Sequence, residues 1–147
     1  MNQTHAHDVL NDSLINIFNQ ILSIEAESLR QHGVTLSMSE VHVLETILKA
    51  SEPNMGLVAK RLRITIGALT TAINTLVKKG YVSRSKDSKD NRKVILNLTE
   101  NADPVMKIHD AFHEEMNNRT IQDLHIDQNE ALIQSLERLS TYFKEKY

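Results

Sequence analysis

The hydrophobic pattern of this chain changes period once and then changes back, and that switch constrains the fold more than any other feature. As far as Gly80 the apolar residues recur every three or four positions. From Tyr81 to Leu98 they fall into two short extended runs, and after Thr99 the helical spacing returns. Helices and strands place their side chains with different periods, so the switch marks a real change of structure. The predicted class is mainly α with a small β-wing: helix, helix, short helix, turn, helix, two-stranded wing, helix, helix.

The punctuation supports this order. Val9 to Leu29 reads as one long amphipathic helix on Leu10, Leu14, Ile17, Ile21 and Ile24, closed by Gly33. Ser37 and Glu40 form a capping-box pattern ahead of Val41, Leu44, Ile47 and Leu48. Asn54 caps a short helix through Leu62, and Thr65 caps a longer one from Ile66 to Lys79, with Leu69, Ile73, Leu76 and Val77 inward and Gly80 as its end. The strands are Tyr81–Ser85 and Lys93–Leu98 around a polar tip, Lys86 to Arg92. The next helix starts either at Pro104 with Asp103 as cap, or at Thr99 with a bend at Pro104. It continues through Met106, Phe112 and Met116. Asp127 opens a last helix on Leu132, Leu136, Leu139 and Phe143. His5 and His7 fall in a frayed tail and receive no role.

Charge locates the working surface. The 147-residue chain has a formal net charge of −2, which at first argues against a polyanionic partner. Its distribution reverses that reading, because Leu57 to Ile95 holds ten of the bases and only two acids, Asp87 and Asp90. A basic centre between acidic flanks is the footprint of a phosphate-binding face. Residues 37–99 are therefore expected to form a winged helix-turn-helix whose second helix enters the major groove of duplex DNA, since that groove admits one helix. The outward residues are Thr65, Ile66, Gly67, Ala68, Thr70, Thr71 and Asn74, with Lys78 near the end. Small Gly67 and Ala68 permit close approach, and the threonines offer hydroxyls and methyls. With no Arg at the front of the helix, a bidentate guanine contact from it is not expected. Lys86, Lys89, Arg92 and Lys93 of the wing would grip phosphates or reach a minor groove. Asp90 and Arg92 can pair within the hairpin, and the same pair can orient Arg92 toward DNA; the two roles are compatible.

Other classes fit poorly. The chain has no cysteine, which excludes disulfides and thiolate metal sites and suits a reducing cytoplasm. Aromatic content of 4% with no Trp offers little for stacking single-stranded bases. There is no apolar run long enough for a membrane span, no basic-then-apolar leader, no nucleophile elbow, no phosphate-cradling glycine loop and no HExxH, so neither a membrane partner nor an enzyme is expected. Residues 1–147 read as one domain. Its apolar helices at 8–32 and 100–147 exceed what the small centre can cover, so they are expected to join two copies into a homodimer that binds a palindromic site.

At this point the chain resembles the multiple-antibiotic-resistance regulator (MarR) family. The stretches that carry the likeness are RITIGALTTAINTLVKKGYV, Arg63 to Val82, and SKDSKDNRKVILNLTE, Ser85 to Glu100, with Asp90, Arg92 and Leu98-Thr99 in the family's signature positions. Within the family, IFNQILSIE, EVHVLETI, ITIGALTTAINTLVKKGYV and IHDAFHEEM resemble the repressors of fatty-acid synthesis. That resemblance implies long-chain acyl-acyl-carrier protein as a corepressor, with an acyl tunnel lined by Ile17, Phe18, Ile21, Val43, Ile47, Ile108 and Phe112. Most of the same residues suit a core better than a tunnel. Zinc-sensing repressors are the competing likeness, through SKDSKD. His109 and His113 stand four apart on one helix face, and Glu25 and His42 would complete a tetrahedral site. The cysteine ligand and the richer histidine run of those sensors are missing here, and polar or structural roles fit the histidines as well. No cofactor is required by either likeness; acyl chain and zinc enter as effectors.

Overall fold

The computed structural model describes residues 2–147. Met1, which opens the expected single domain and its polar N-terminal stretch, lies outside the described residues. The chain divides into two compact units, the first ending at His109 and the second running Asp110–Tyr147.

The first unit begins with a continuous helical stretch that starts earlier than expected. Helix α1 spans Gln3–Asn11, a π-helical segment Asp12–Ile17, and helix α2 Phe18–Gln31. His5 and His7 are therefore helical, because Asn2 caps α1 by accepting the Thr4 N–H at 3.2 Å. Gly33 ends α2 with φ +77, as its position before the turn demands.

Helix α3 (Met38–Lys49) opens with the expected capping box: Ser37 Oγ accepts the Glu40 N–H at 3.2 Å, and Glu40 Oε2 accepts the Ser37 N–H at 2.8 Å. It buries Val41, Val43, Leu44 and Ile47. Helix α4 (Met55–Leu62) starts at Asn54, whose Oδ1 accepts the Leu57 N–H at 2.9 Å. It ends at Arg63, which takes up the left-handed conformation at φ 55 and turns the chain toward α5. Helix α5 (Ile66–Lys78) is capped by Thr65, whose Oγ1 accepts the Ala68 N–H at 3.0 Å. Leu69, Ile73 and Leu76 form its inner stripe and are fully buried. Removing such side chains from water contributes about 1.5–3 kcal/mol each.

Gly80, at φ +84, stops α5 and starts the wing. Strands β1 (Val82–Lys86) and β2 (Val94–Leu98) pair antiparallel, Val82 opposite Leu98 and Lys86 opposite Val94. Two strands alone are marginal in water. This pair is held at its base: Val82 and Leu96 enter the core, the Leu96 N–H donates to the Pro53 carbonyl at 2.8 Å, and Thr99 Oγ1 and Asn101 Nδ2 both donate to the Gly80 carbonyl.

Helix α6 (Ala102–Leu124) begins between the two expected starts. Pro104 sits inside its first turn, where its missing N–H would have had no helical partner. Ala102, Val105, Met106 and His109 are its buried residues. The boundary between the units falls within this helix. In the second unit, Asp127 lies in a short 3₁₀ turn, Ile126–Gln128, rather than opening the last helix. Asn129 takes that role, accepting the Leu132 N–H at 3.1 Å, and α7 runs Glu130–Lys146.

Candidate nucleic-acid interface

The three caps just described aim α3, α4 and α5 so that the buried stripe of α5 faces the core and its opposite face meets solvent. Thr65, Ile66, Gly67, Ala68, Thr70, Thr71, Asn74 and Lys78 are all exposed. Ile66 is 57% exposed, although an isoleucine of this size ordinarily turns inward, so the leading end of the helix offers apolar surface outward. A Cβ added at Gly67 would meet only Thr65 Oγ1, at 3.9 Å, so nothing in the fold itself requires the glycine. The threonine hydroxyls are committed inward: Thr70 donates to the Ile66 carbonyl at 2.7 Å and Thr71 to the Gly67 carbonyl at 3.2 Å. Methyl groups and hydroxyl lone pairs remain for an outside partner.

The wing tip is shaped by its own main chain. Asp87 Oδ1 accepts the Lys89 N–H at 2.9 Å, and Asp90 Oδ1 accepts the Arg92 N–H at 3.0 Å. Asp90 thus bonds the backbone of Arg92, closing the turn, and not its guanidinium. Lys86, Lys89, Arg92 and Lys93 are exposed, and among the described residues no carboxylate pairs with any of them. Lys79 differs, since its ammonium donates to Glu40 at 2.9 Å. Burial pulls the Glu40 carboxyl upward, but Lys79 and the Ser37 N–H outweigh it and hold the group below its ordinary value.

Arg84 is the residue that sequence reasoning passed over. Its guanidinium donates to Asn74 Oδ1, joining β1 to the exposed face of α5. Its place on an outward strand position, next to the end of the helix, was the available signal.

The residues expected at an effector site separate. Val43 and Ile47 lie in the closed core at 3% exposure, whereas Ile17 and Phe18 are 50% and 56% exposed. Ile21 and Ile108 are half-buried, and Phe112, also half-buried, belongs to the second unit. An open cleft of about 640 Å³ in the first unit is lined instead by Ser23, Ala26, Arg30 and the turn 33–38.

Two of the four residues expected to hold a metal are joined in the first unit, Glu25 and His109. Glu25 and His109 are almost fully buried, at 1% and 2% exposure, and His109 Nδ1 bonds Glu25 Oε1. His109 Nε2 lies 3.4 Å from Glu45 Oε2, a carboxylate not anticipated from sequence. Burial pulls Glu45 upward as well, but hydrogen bonding to Lys49 and the attraction of Lys49 and His109 for the carboxylate outweigh it, leaving its carboxyl below the ordinary value. The ring of His42, half-buried, stands edge-on to His109 with centroids 6.4 Å apart. His113 follows one turn later on α6, in the second unit, packed edge-on against Phe112 at 5.4 Å.

A two-helix turn with an exposed second helix, followed by an anchored cationic hairpin, defines a winged helix-turn-helix protein. Comparison with known proteins agrees. The MarR family model matches residues 36–94. The chain is similar to the transcriptional regulator AdcR of Streptococcus pneumoniae, 38% identical over 81 residues, 55% of this chain and only 55% of that relative. It is 34% identical to AdcR of Streptococcus pyogenes over 113 residues, 72% of this chain and 76% of the relative. A solved structure of Streptococcus pneumoniae FabT in complex with DNA superposes with a TM-score of 0.87 at 30% identity, covering 96% of this chain and 99% of that one. The chain belongs to the MarR family.

Proposed function

We propose that this protein binds duplex DNA as a homodimer, represses from a palindromic operator, and takes long-chain acyl-acyl-carrier protein as corepressor. The observation that carries the DNA reading is that the outward face of α5 and the four wing cations are all exposed, and that among the described residues those cations have no acidic partners. Unneutralised cations favour phosphates because each contact releases condensed counterions, giving a slope of about −0.9 in log affinity against log salt. The FabT structure was solved with DNA, which supports the same mode here.

The dimer is supported by what the helices leave uncovered. Val9, Leu10, Leu14, Ile15, Ile17, Phe18 and Ile24 of the N-terminal stretch are each 41–59% exposed, and Leu132, Ile133, Leu136 and Phe143 of α7 are 37–49% exposed. Apolar faces of this length mark an interaction surface. Two-fold pairing would set the α5 helices about 34 Å apart, one turn of DNA. The acyl reading rests on the sequence likeness to fatty-acid repressors. A gel shift on an operator duplex, with and without acyl-carrier protein charged with long chains, tests it: tighter binding is expected, and an unchanged shift removes the corepressor while leaving DNA binding standing.

Buried Glu25 and His109 favour a second reading, with zinc as the signal. Imidazole nitrogens and carboxylate oxygens are a donor set that zinc accepts, and the ligands would be Glu25, His42, His109 and His113. Zinc calorimetry on the wild type and His109→Ala separates the readings. Tight binding lost in the variant supports zinc, and micromolar or weaker binding untouched by the substitution rejects it.

A further inference from the structure

Three helices of the first unit end in the same backbone motif. After α2 the Val34 N–H donates to the Leu29 carbonyl and the Gly33 N–H to the Arg30 carbonyl. After α5 the Tyr81 N–H donates to Leu76 and the Gly80 N–H to Val77. After α4 the Ile64 N–H donates to Ala59 and the Arg63 N–H to Lys60, and all six bonds measure 2.9–3.2 Å. This paired closure places one left-handed residue at its middle, usually glycine, which has no Cβ to strain. Gly33 at φ +77 and Gly80 at φ +84 follow that rule. A Cβ at Gly33 would meet nothing within 4 Å, so the backbone alone accounts for the glycine there. Arg63, at φ 55, is the exception, and it stands in the turn between α4 and α5.

The fold does not account for an arginine at this position. Arg63 is exposed, and among the described residues no acid pairs with its guanidinium. A cation favours the negative end of a helix, but Lys60 and Arg61 already stand in the last turn of α4. Helices α2 and α5 each have a base in the last turn and still close on glycine. The location of the turn supplies a reason. In a helix-turn-helix the first helix crosses the sugar-phosphate backbone and the second enters the groove, so the turn from α4 to α5 passes the strand at the edge of that groove. A guanidinium matches a phosphate with two parallel N–H donors.

We propose that Arg63 is a DNA-binding residue: the fold keeps a left-handed arginine where glycine is favoured because its guanidinium binds a phosphate at the edge of the groove that α5 enters. The inference rests on the DNA reading above. It adds a cation from the turn to those of the wing.

The test compares full-length wild type, Arg63→Gly, Arg63→Asn and Arg63→Lys in thermal melts and in duplex binding titrated against salt. Two duplexes are used, one of mixed sequence and one that the wild type enriches from a random library. Glycine and asparagine both tolerate the left-handed backbone and carry no charge. Arg63→Gly should melt roughly 2–4 °C higher than wild type. Both neutral variants should bind both duplexes roughly tenfold more weakly, with a salt slope smaller by about 1 per chain bound. Arg63→Lys should keep the slope. Neutral variants with wild-type affinity and slope overturn the proposal. So does a loss seen in Arg63→Gly alone, which would mean that glycine had only loosened the turn. A loss confined to the enriched duplex, with the slope unchanged, overturns it too, since Arg63 would then read a base. If Arg63→Gly melts below wild type, the arginine serves the fold and the proposal falls. A wild type that binds neither duplex overturns the DNA reading itself.

Discussion

At the scale of single residues, the informative positions are those where the fold leaves a choice open. Gly67 has room for a methyl group within the chain, so internal packing does not explain a glycine there. Gly67→Ala should raise stability by a few tenths of a kcal/mol to ~1 kcal/mol in thermal melts. If the α5 backbone lies close against DNA, the same change should lower duplex affinity. Stability and binding moving in opposite directions would identify Gly67 as a contact residue; equal affinity would return it to an ordinary helix position. Glu40 is the counterpart inside the fold. Its carboxyl is held below the usual 4.5 by Lys79 and Ser37 against the pull of burial, so the folded chain binds fewer protons there than the unfolded one. The stability this adds is complete above the ordinary value and is lost as pH falls through the lowered one. Glu40→Gln keeps a capping side chain but removes the charge. It should be less stable than wild type near neutrality and lose less on acidification between about pH 5 and 3.

At the scale of elements, the wing and α5 are expected to divide the work. Arg92 is exposed and its backbone alone is engaged by Asp90, so Arg92→Ala should weaken binding to every duplex and reduce the salt slope by about 1. Thr71→Ala should act chiefly on the specific operator. An unchanged slope in Arg92→Ala would remove the wing from the interface. Elements of this kind were largely legible in sequence, because capping is local chemistry: Ser37-Glu40, Asn54 and Thr65 sit where they were expected, and so does Gly80. The misplaced boundaries have equally local causes. Asn129 competes with Asp127 for the start of α7 and accepts the helix N–H instead, and Asn2 extends α1 over a stretch expected to fray. Links across the fold were not legible. The Arg84–Asn74 bond and the approach of Glu45 to His109 join residues whose closeness depends on how helices and strands pack.

At the scale of the whole molecule, uncovered apolar surface at the N-terminal helix and on α7 is expected to be buried between copies. Analytical ultracentrifugation should find a species of twice the 16.7 kDa chain. Leu136→Glu, which puts a charge on a residue 49% exposed, should shift it toward single chains and weaken operator binding with it. A wild-type monomer that still binds operator tightly would refute the two-fold arrangement. Stability is also unevenly distributed along the chain. The hairpin is fastened to the core at its base, through Leu96, Pro53, Thr99 and Gly80, while its exposed far end is closed by bonds within the tip itself, from the Asp87 and Lys93 N–H groups and the two aspartate side chains. Amide deuterium uptake should therefore be slow at Val82 and Leu96 and faster in the tip, where the bonds are exposed and none reaches the core. Such a gradient would let the tip adjust to the local groove width of whatever duplex it meets, without loosening the helix beside it.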